Sequence, residues 1–152
     1  MELDDRDRSI LSELMRDGRL TNVDLAERIH LSPAACLRRV RRLEESGLVA
    51  GYAMLLDAAK AGVPGVAFVF LTLDAQGRAA LDAFEQAIER HEEIIECYLL
   101  AGSADYLLRV AYRDSADFER IHTEILTRLP GVSRVQSTLA LRTVKRTTRL
   151  PI

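Results

Sequence analysis

The apolar residues between Leu3 and Glu45 fall on helical spacing three times in succession, and a stop signal follows each run. Three short helices packed on one another satisfy that pattern. The first is expected from about Asp5 to Asp17, with Ile10, Leu11, Leu14 and Met15 inward. Asp4, Asp5 and Asp7 suit the positive end of its dipole, and Gly18 closes it. The second starts after Thr21, whose hydroxyl can cap the amide three residues on while Asp24 stands in the capping-box position, and it buries Leu25, Ala26 and Ile29. After a turn at His30 and Leu31, Ser32 caps a third helix that Pro33 pre-organises, and Gly47 ends it just past Glu45. So brief a joint between two helices makes a helix-turn-helix.

The pattern then changes. Val49 to Leu56 is apolar around Tyr52 and too short for a substantial helix, so it reads as an extended connector; Asp57 to Gly65, with Gly62, Pro64 and Gly65, reads as a linker. Beyond it come strand, helix, strand, strand, helix, strand. The expected strands are Val66 to Leu73, Ile94 to Leu100, Tyr106 to Tyr112 and Val132 to Val144, and the helices Arg78 to Arg90 and Ser115 to Leu129. The fold class is therefore α+β. A three-helix, winged-helix-like helix-turn-helix domain occupies residues 1–50, a hinge and linker 51–65, and a ferredoxin-like βαββαβ domain 66–152.

That second domain carries both helices on one face of its sheet. Its first strand is apolar on both sides, with Val66, Phe68 and Phe70 alternating with Ala67, Val69 and Leu71, so one side needs a cover. A second copy of the same sheet, giving a two-fold homodimer, is predicted; the alternative cover is the helical unit of the same chain.

Charge sharpens the picture. Twenty-one basic and twenty-three acidic residues give a net charge of −2, so no global positive field draws the chain to nucleic acid or a membrane. Yet among nine Arg and ten acidic residues in the first 51 positions, four Arg crowd into the five positions Arg38, Arg39, Arg41 and Arg42 span. Turning 100° per residue about Val40, Cys36, Leu37, Leu43 and the stem of Glu44 fall inward. Arg38 and Arg42 fall opposite, Arg39 and Arg41 flank them, and Ala34 and Ala35 lie on the outer side of the first turn. Small residues permit close approach, guanidinium forks match guanine edges and phosphates, and the helix-start amides can meet a phosphate. Double-stranded DNA is the expected partner.

These residues resemble a known family. Leu31-Ser32-Pro33-Ala34-Ala35-Cys36-Leu37-Arg38-Arg39-Val40-Arg41-Arg42-Leu43-Glu44 is similar to the recognition helix of the Lrp/AsnC transcription regulators. Leu20 to Ala26 is similar to the helix before it, Gly51-Tyr52 to the hinge strand, and Glu96 to Leu108 to the hairpin of the sensing domain. Leu129-Pro130-Gly131-Val132 and the tail from Val144 to Pro151 complete a likeness that spans the chain. The resemblance implies a regulator of amino-acid metabolism whose dimers assemble to octamers. It also implies DNA contacts from Thr21, Asn22, Ser32, Ala34, Ala35, Arg38, Arg39, Arg41 and Arg42. A small amino-acid effector is implied between dimers, near Ala101, Gly102, Ser103, Ala104 and Asp105, where Gly102 lets the backbone approach a ligand and Asp105 could pair with an amino group. Where the family commonly has glycine this chain has His30, Ala34 and Ala35 replace a frequent Thr and Pro, and Ser103 replaces a frequent acid.

Other classes fit less well. His30, His91 and His122 lack metal-ligand spacing, and no phosphate-cradling glycine loop, nucleophile elbow or Cys-His pairing occurs, so no enzyme and no cofactor is expected. A sirohaem decarboxylase of similar fold and an architectural nucleoid protein are the rivals. Cys36 and Cys97 form no C-x-x-C pair and read as buried thiols, no apolar run approaches the roughly 18 residues of a membrane span, and the start of the chain is acidic. A cytoplasmic, nucleoid-associated protein is expected.

Overall fold

The computed structural model describes residues 2–152. The chain forms two compact units: one runs through Leu55 and takes in Lys145–Ile152, and the other is Leu56–Val144.

The first unit is built from α1 (Asp5–Arg16), α2 (Asn22–Arg28) and α3 (Pro33–Glu45) around Ile10, Leu11, Leu25, Ala26, Ile29, Cys36 and Leu43. Each helix starts on a side-chain cap. Asp4 and Asp7 form a reciprocal box on α1, the Asp7 amide donating to Asp4 at 2.8 Å. Thr21 caps α2 by accepting from the Asp24 amide at 3.1 Å; its own hydroxyl donates to the Asp24 carboxylate at 2.6 Å, so the box closes through the hydroxyl instead of the backbone. Arg6 reaches from α1 to donate to the Ile29 carbonyl at the end of α2. The turn into α3 holds His30 at φ +55°, where glycine is the unstrained choice, and Ser32 caps α3 through the Ala35 amide at 3.2 Å. Gly47, at φ +76°, ends that helix in the left-handed conformation.

Gly18 has a different role from the expected helix stop. Asp17, in extended conformation, ends α1, and a Cβ on Gly18 would lie 3.4 Å from the ring of Tyr52. Glycine there makes room for the connector. Tyr52 then donates its hydroxyl to Glu44 at 2.9 Å; partial burial and the neighbouring carboxylate push the phenol up to about 12. The remaining connector, residues 53–56, has no regular structure and exposes Met54, Leu55 and Leu56. The C-terminal tail joins this unit through the Leu150 amide, which lies 3.3 Å from the Met15 sulfur.

The second unit is the expected ferredoxin-like sandwich. It comprises β1 (Gly65–Leu73), α4 (Arg78–Ile88), β2 (Ile94–Leu99), β3 (Tyr106–Tyr112), α5 (Ser115–Arg120) and β4 (Val132–Leu139). The sheet is antiparallel throughout, in the order β2-β3-β1-β4. Its inner face, Ala67, Val69, Leu71, Tyr106, Leu108 and Val110, meets Phe84, Ile88, Ile121, Ile125 and Leu126. The Phe84 and Tyr106 rings stack tilted with centroids 4.3 Å apart, and the Tyr106 hydroxyl leaves the core by donating to Glu85.

Two expectations need correction here. The single helix from Ser115 to Leu129 is broken: α5 gives way to a π turn at Ile121–Ile125 and then a 3₁₀ turn at Leu126–Arg128. Apolar spacing cannot register that change, because the wide turn keeps Ile121, Ile125 and Leu126 all facing the sheet. β4 stops at Leu139 instead of Val144, since Ala67 is the last β1 residue paired with it.

The outer face of the sheet carries two cross-strand rows. One is Tyr98, Leu107, Phe70 and Gln136; the other is Glu96, Arg109, Phe68 and Thr138, with an Arg109–Glu96 ion pair at 2.6 Å. Phe68 remains 38% exposed in the single chain.

Candidate nucleic-acid interface

α3 presents two stripes. Cys36, Val40 and Leu43 pack inward, and Arg39 shares that side. On the outside, at the i, i+3, i+4, i+7 spacing of one helix face, stand Ala34, Leu37, Arg38 and Arg41, all exposed.

The phase is shifted by about 50° from the one expected from Val40. Asp7 is the cause. It is the one charged residue fully buried among the described residues, and it continues the inward stripe of α1 through Ile10, Leu11 and Leu14. A carboxylate inside a small core requires cationic partners, so α3 turns toward it. Arg39 donates to Asp7 at 2.9 Å and to Asp4 at 2.7 Å, and Arg42 pairs with the other Asp7 oxygen. Asp4 is held below the ordinary carboxyl range, first by the Asp7 amide and then by Arg39. The same two carboxylates raise the Arg39 guanidinium further above neutrality.

Four expected cationic contacts therefore divide into two kinds. Arg38 and Arg41 make no ion pair among the described residues and point outward; Arg39 and Arg42 hold α1 against α3. Arg42 still leaves half its side chain in solvent, whereas Arg39 keeps 26%. Leu37, expected inward, is 39% exposed and belongs to neither hydrophobic core. Sequence reasoning overlooked Asp7 because it read the residue only as a first-turn acid. Its membership of the 7, 10, 11, 14 stripe was the available signal.

The start of α3 is stitched internally. Asn22 donates its amide to the Pro33 carbonyl at 2.8 Å, while its buried oxygen finds no donor among the described residues. Thr21 and Ser32 act as caps, Ala34 is exposed, and Ala35 is half-buried. Asn22 and Ser32 thus fix the start of α3, and Thr21 fixes that of α2.

The loop Ala101–Ala104 lies between β2 and β3 and is closed by the Leu100 amide donating to the Asp105 carbonyl at 2.8 Å. The Asp105 side chain clamps it: one oxygen accepts from the Leu73 amide at 2.7 Å and the other from the Gln76 side chain at 2.8 Å. Ala101, Gly102 and Ser103 are exposed and Ala104 is half-buried. A Cβ on Gly102 would meet nothing within 4 Å, so nothing in the chain itself requires the glycine.

At the opposite end of β3 is an open cleft of about 860 Å³. Its inner charges pair with one another: Arg120 with Glu93 and Asp117, and Arg113 with Asp117. No cluster able to hold a metal occurs among the described residues. Cys36 is a buried free thiol, and Cys97 is only half-buried, its thiol pushed up to about 11 by burial and then by Glu85 and Glu89. No described helix is long and apolar enough to cross a membrane.

Two family models match stretches of the chain. Residues 3–50 match the winged helix-turn-helix DNA-binding model, and residues 66–150 match the Lrp/AsnC ligand binding domain. The chain belongs to the Lrp/AsnC family. Among its Lrp/AsnC relatives, the leucine-responsive regulatory proteins of Salmonella typhimurium and Escherichia coli K12 are 43% identical over 154 residues, covering 99% of this chain and 92% of theirs. A transcriptional regulator from Neisseria meningitidis, solved as a complex with L-Met, superposes with a TM-score of 0.94 at 37% identity, covering 99% of this chain and 97% of that one. An AsnC family transcriptional regulator from Agrobacterium tumefaciens gives a TM-score of 0.93 at 32% identity, with 98% and 97% covered. This Lrp/AsnC chain is a DNA-binding transcription regulator, with α2 and α3 as its helix-turn-helix.

Proposed function

We propose that the protein is a sequence-preferring regulator of amino-acid metabolism, acting on the nucleoid in the cytoplasm. Its dimer places two copies of α3 in successive major grooves, about 34 Å apart, on a palindromic site. The exposed stripe of Ala34, Leu37, Arg38 and Arg41 on α3 carries this reading. Arg38 and Arg41 reach base edges or phosphates, and Arg42 offers its solvent half to the backbone. Arg39 holds the helix in place through Asp4 and Asp7. Thr21, Asn22, Ser32, Ala34 and Ala35 set the start of α3 against the phosphates.

The outer sheet face, with Phe68 exposed, supports dimerisation, and further assembly to octamers follows the family. A small amino acid acts at the loop Ala101–Asp105, Gly102 allowing the approach and Asp105 holding the loop in shape. The likeness to a regulator solved with L-Met supports an amino-acid effector. It acts by favouring one assembly over another, since a ligand of equal affinity for both shifts nothing.

The test is selection of duplexes from a random pool, followed by titration of the selected site with each of the twenty amino acids at several salt concentrations. A preferred site retained by roughly 10³-fold over random DNA is expected, with one or more amino acids altering affinity or assembly size. Equal affinity for every duplex would turn the reading toward an architectural DNA-binding protein, and indifference to all amino acids would remove the effector.

A further inference from the structure

Leu37 is an exposed leucine at the edge of the surface that a groove would receive. It lies outside both hydrophobic cores at 39% exposure, one turn after Ala34 and beside Arg38 and Arg41 on the same stripe. An apolar side chain left 39% exposed beside two unpaired guanidiniums gains from any contact that covers its open part. Side chains on a helix lean toward its N-terminus, so Leu37 lies toward the first turn, where Ala34 has no atom beyond Cβ to obstruct a close approach.

The major groove presents one apolar group, the C5-methyl of thymine, alongside the acceptors that arginine recognises. We propose that Leu37 is a specificity-determining residue that packs on a thymine methyl in each half-site, while Arg38 and Arg41 fix the register beside it. This rests on the reading of α3 as the DNA-recognition helix and adds to it a base preference that the arginines cannot supply. A guanidinium gains nothing from a methyl group, whereas Leu37 has no hydrogen-bonding group with which to read guanine or adenine.

Uracil differs from thymine only by that methyl, which makes the contact separable from every other. The probe is the duplex that the wild-type protein selects from a random pool, with each thymine replaced in turn by uracil, symmetrically in both half-sites. One position is expected to weaken wild-type binding by about fourfold per half-site, the factor that corresponds to burying one methyl-sized group. Leu37→Ala should bind the thymine duplex more weakly and lose the distinction at that position, whereas Leu37→Met, of similar reach, should keep it. Because Leu37 belongs to neither hydrophobic core, Leu37→Ala should remain folded at the temperature of the binding assay and keep its assembly size. A wild-type protein that selects a site but is indifferent to every uracil overturns the assignment and leaves the regulator reading standing, as does a Leu37→Ala variant with the wild-type uracil profile. A change of assembly size in Leu37→Ala would instead make the residue a subunit contact and overturn it too. If the wild type selects no duplex at all, both readings fall together.

Discussion

At the scale of single residues, arginines that look equivalent in the sequence separate by their partners. Arg38 has none within the described chain, so Arg38→Ala should cost about 1 to 3 kcal/mol of binding to the preferred site, relax one base pair, and leave the melting temperature unchanged. Arg39→Ala should lower the melting temperature first, because it strips a cation from the buried Asp7. Binding isotherms and thermal melts of the two variants distinguish the roles, and identical behaviour would contradict the division. Asp7 is the centre of that network. Asp7→Asn should destabilise the helical unit by about 2 kcal/mol in urea titration, less than the roughly 3–5 kcal/mol typical of a broken buried pair, because both guanidiniums reach solvent. Asp4 gives the network an acid limit. Its folded-state pKa is depressed below the ordinary 3.8, so its contribution is present above that value and is lost as the pH falls through the lower folded value. An acid titration in which the wild type and Asp4→Asn lose helical signal in parallel would contradict this.

Elements were legible in the sequence where a repeating pattern met a clear stop. Thr21, Ser32-Pro33 and Gly47 carry enough local chemistry to bound α2 and α3, and His30 adopts the positive φ that its place in the turn requires. The four strands and α4 follow from alternation and from helical spacing. What escaped was phase and interruption. The orientation of α3 depends on a carboxylate in another helix, which periodicity within α3 cannot contain, and that is why Leu37 and Arg39 exchanged faces. The Asp105 carboxylate could be placed near a loop but not assigned to the Leu73 amide, because its partner lies 32 residues away. The π turn at Ile121–Ile125 escaped for a related reason: one extra residue in a turn leaves the inward set intact. Thr127 donates its hydroxyl to the Thr123 carbonyl there at 2.9 Å, supporting the irregular turns with a side chain. Deleting the exposed Glu124 should therefore convert the segment toward a continuous α-helix and keep most of the stability, whereas deleting the equally exposed Gln86 from α4 should turn the following residues by about 100° and expose Ile88. Comparing the melts of the two deletions checks this.

For the whole molecule, the outer sheet face is decisive. Rows that put Phe68 and Phe70 beside Leu107 and the already paired Arg109 form a patch that an additional charge would spoil, so Phe68→Glu should yield monomers in sedimentation without unfolding the sandwich, whose core lies on the opposite face. Monomers should also bind the palindromic site far more weakly, because each would hold one half-site alone. Unchanged sedimentation would place the subunit contact elsewhere. The proposed pairing of this patch with its own copy also has a consequence for inheritance. In a cell carrying one intact and one α3-damaged allele, most pairs would contain a damaged member, so loss of the outward arginines should behave as a dominant trait, whereas loss of Phe68 should be recessive.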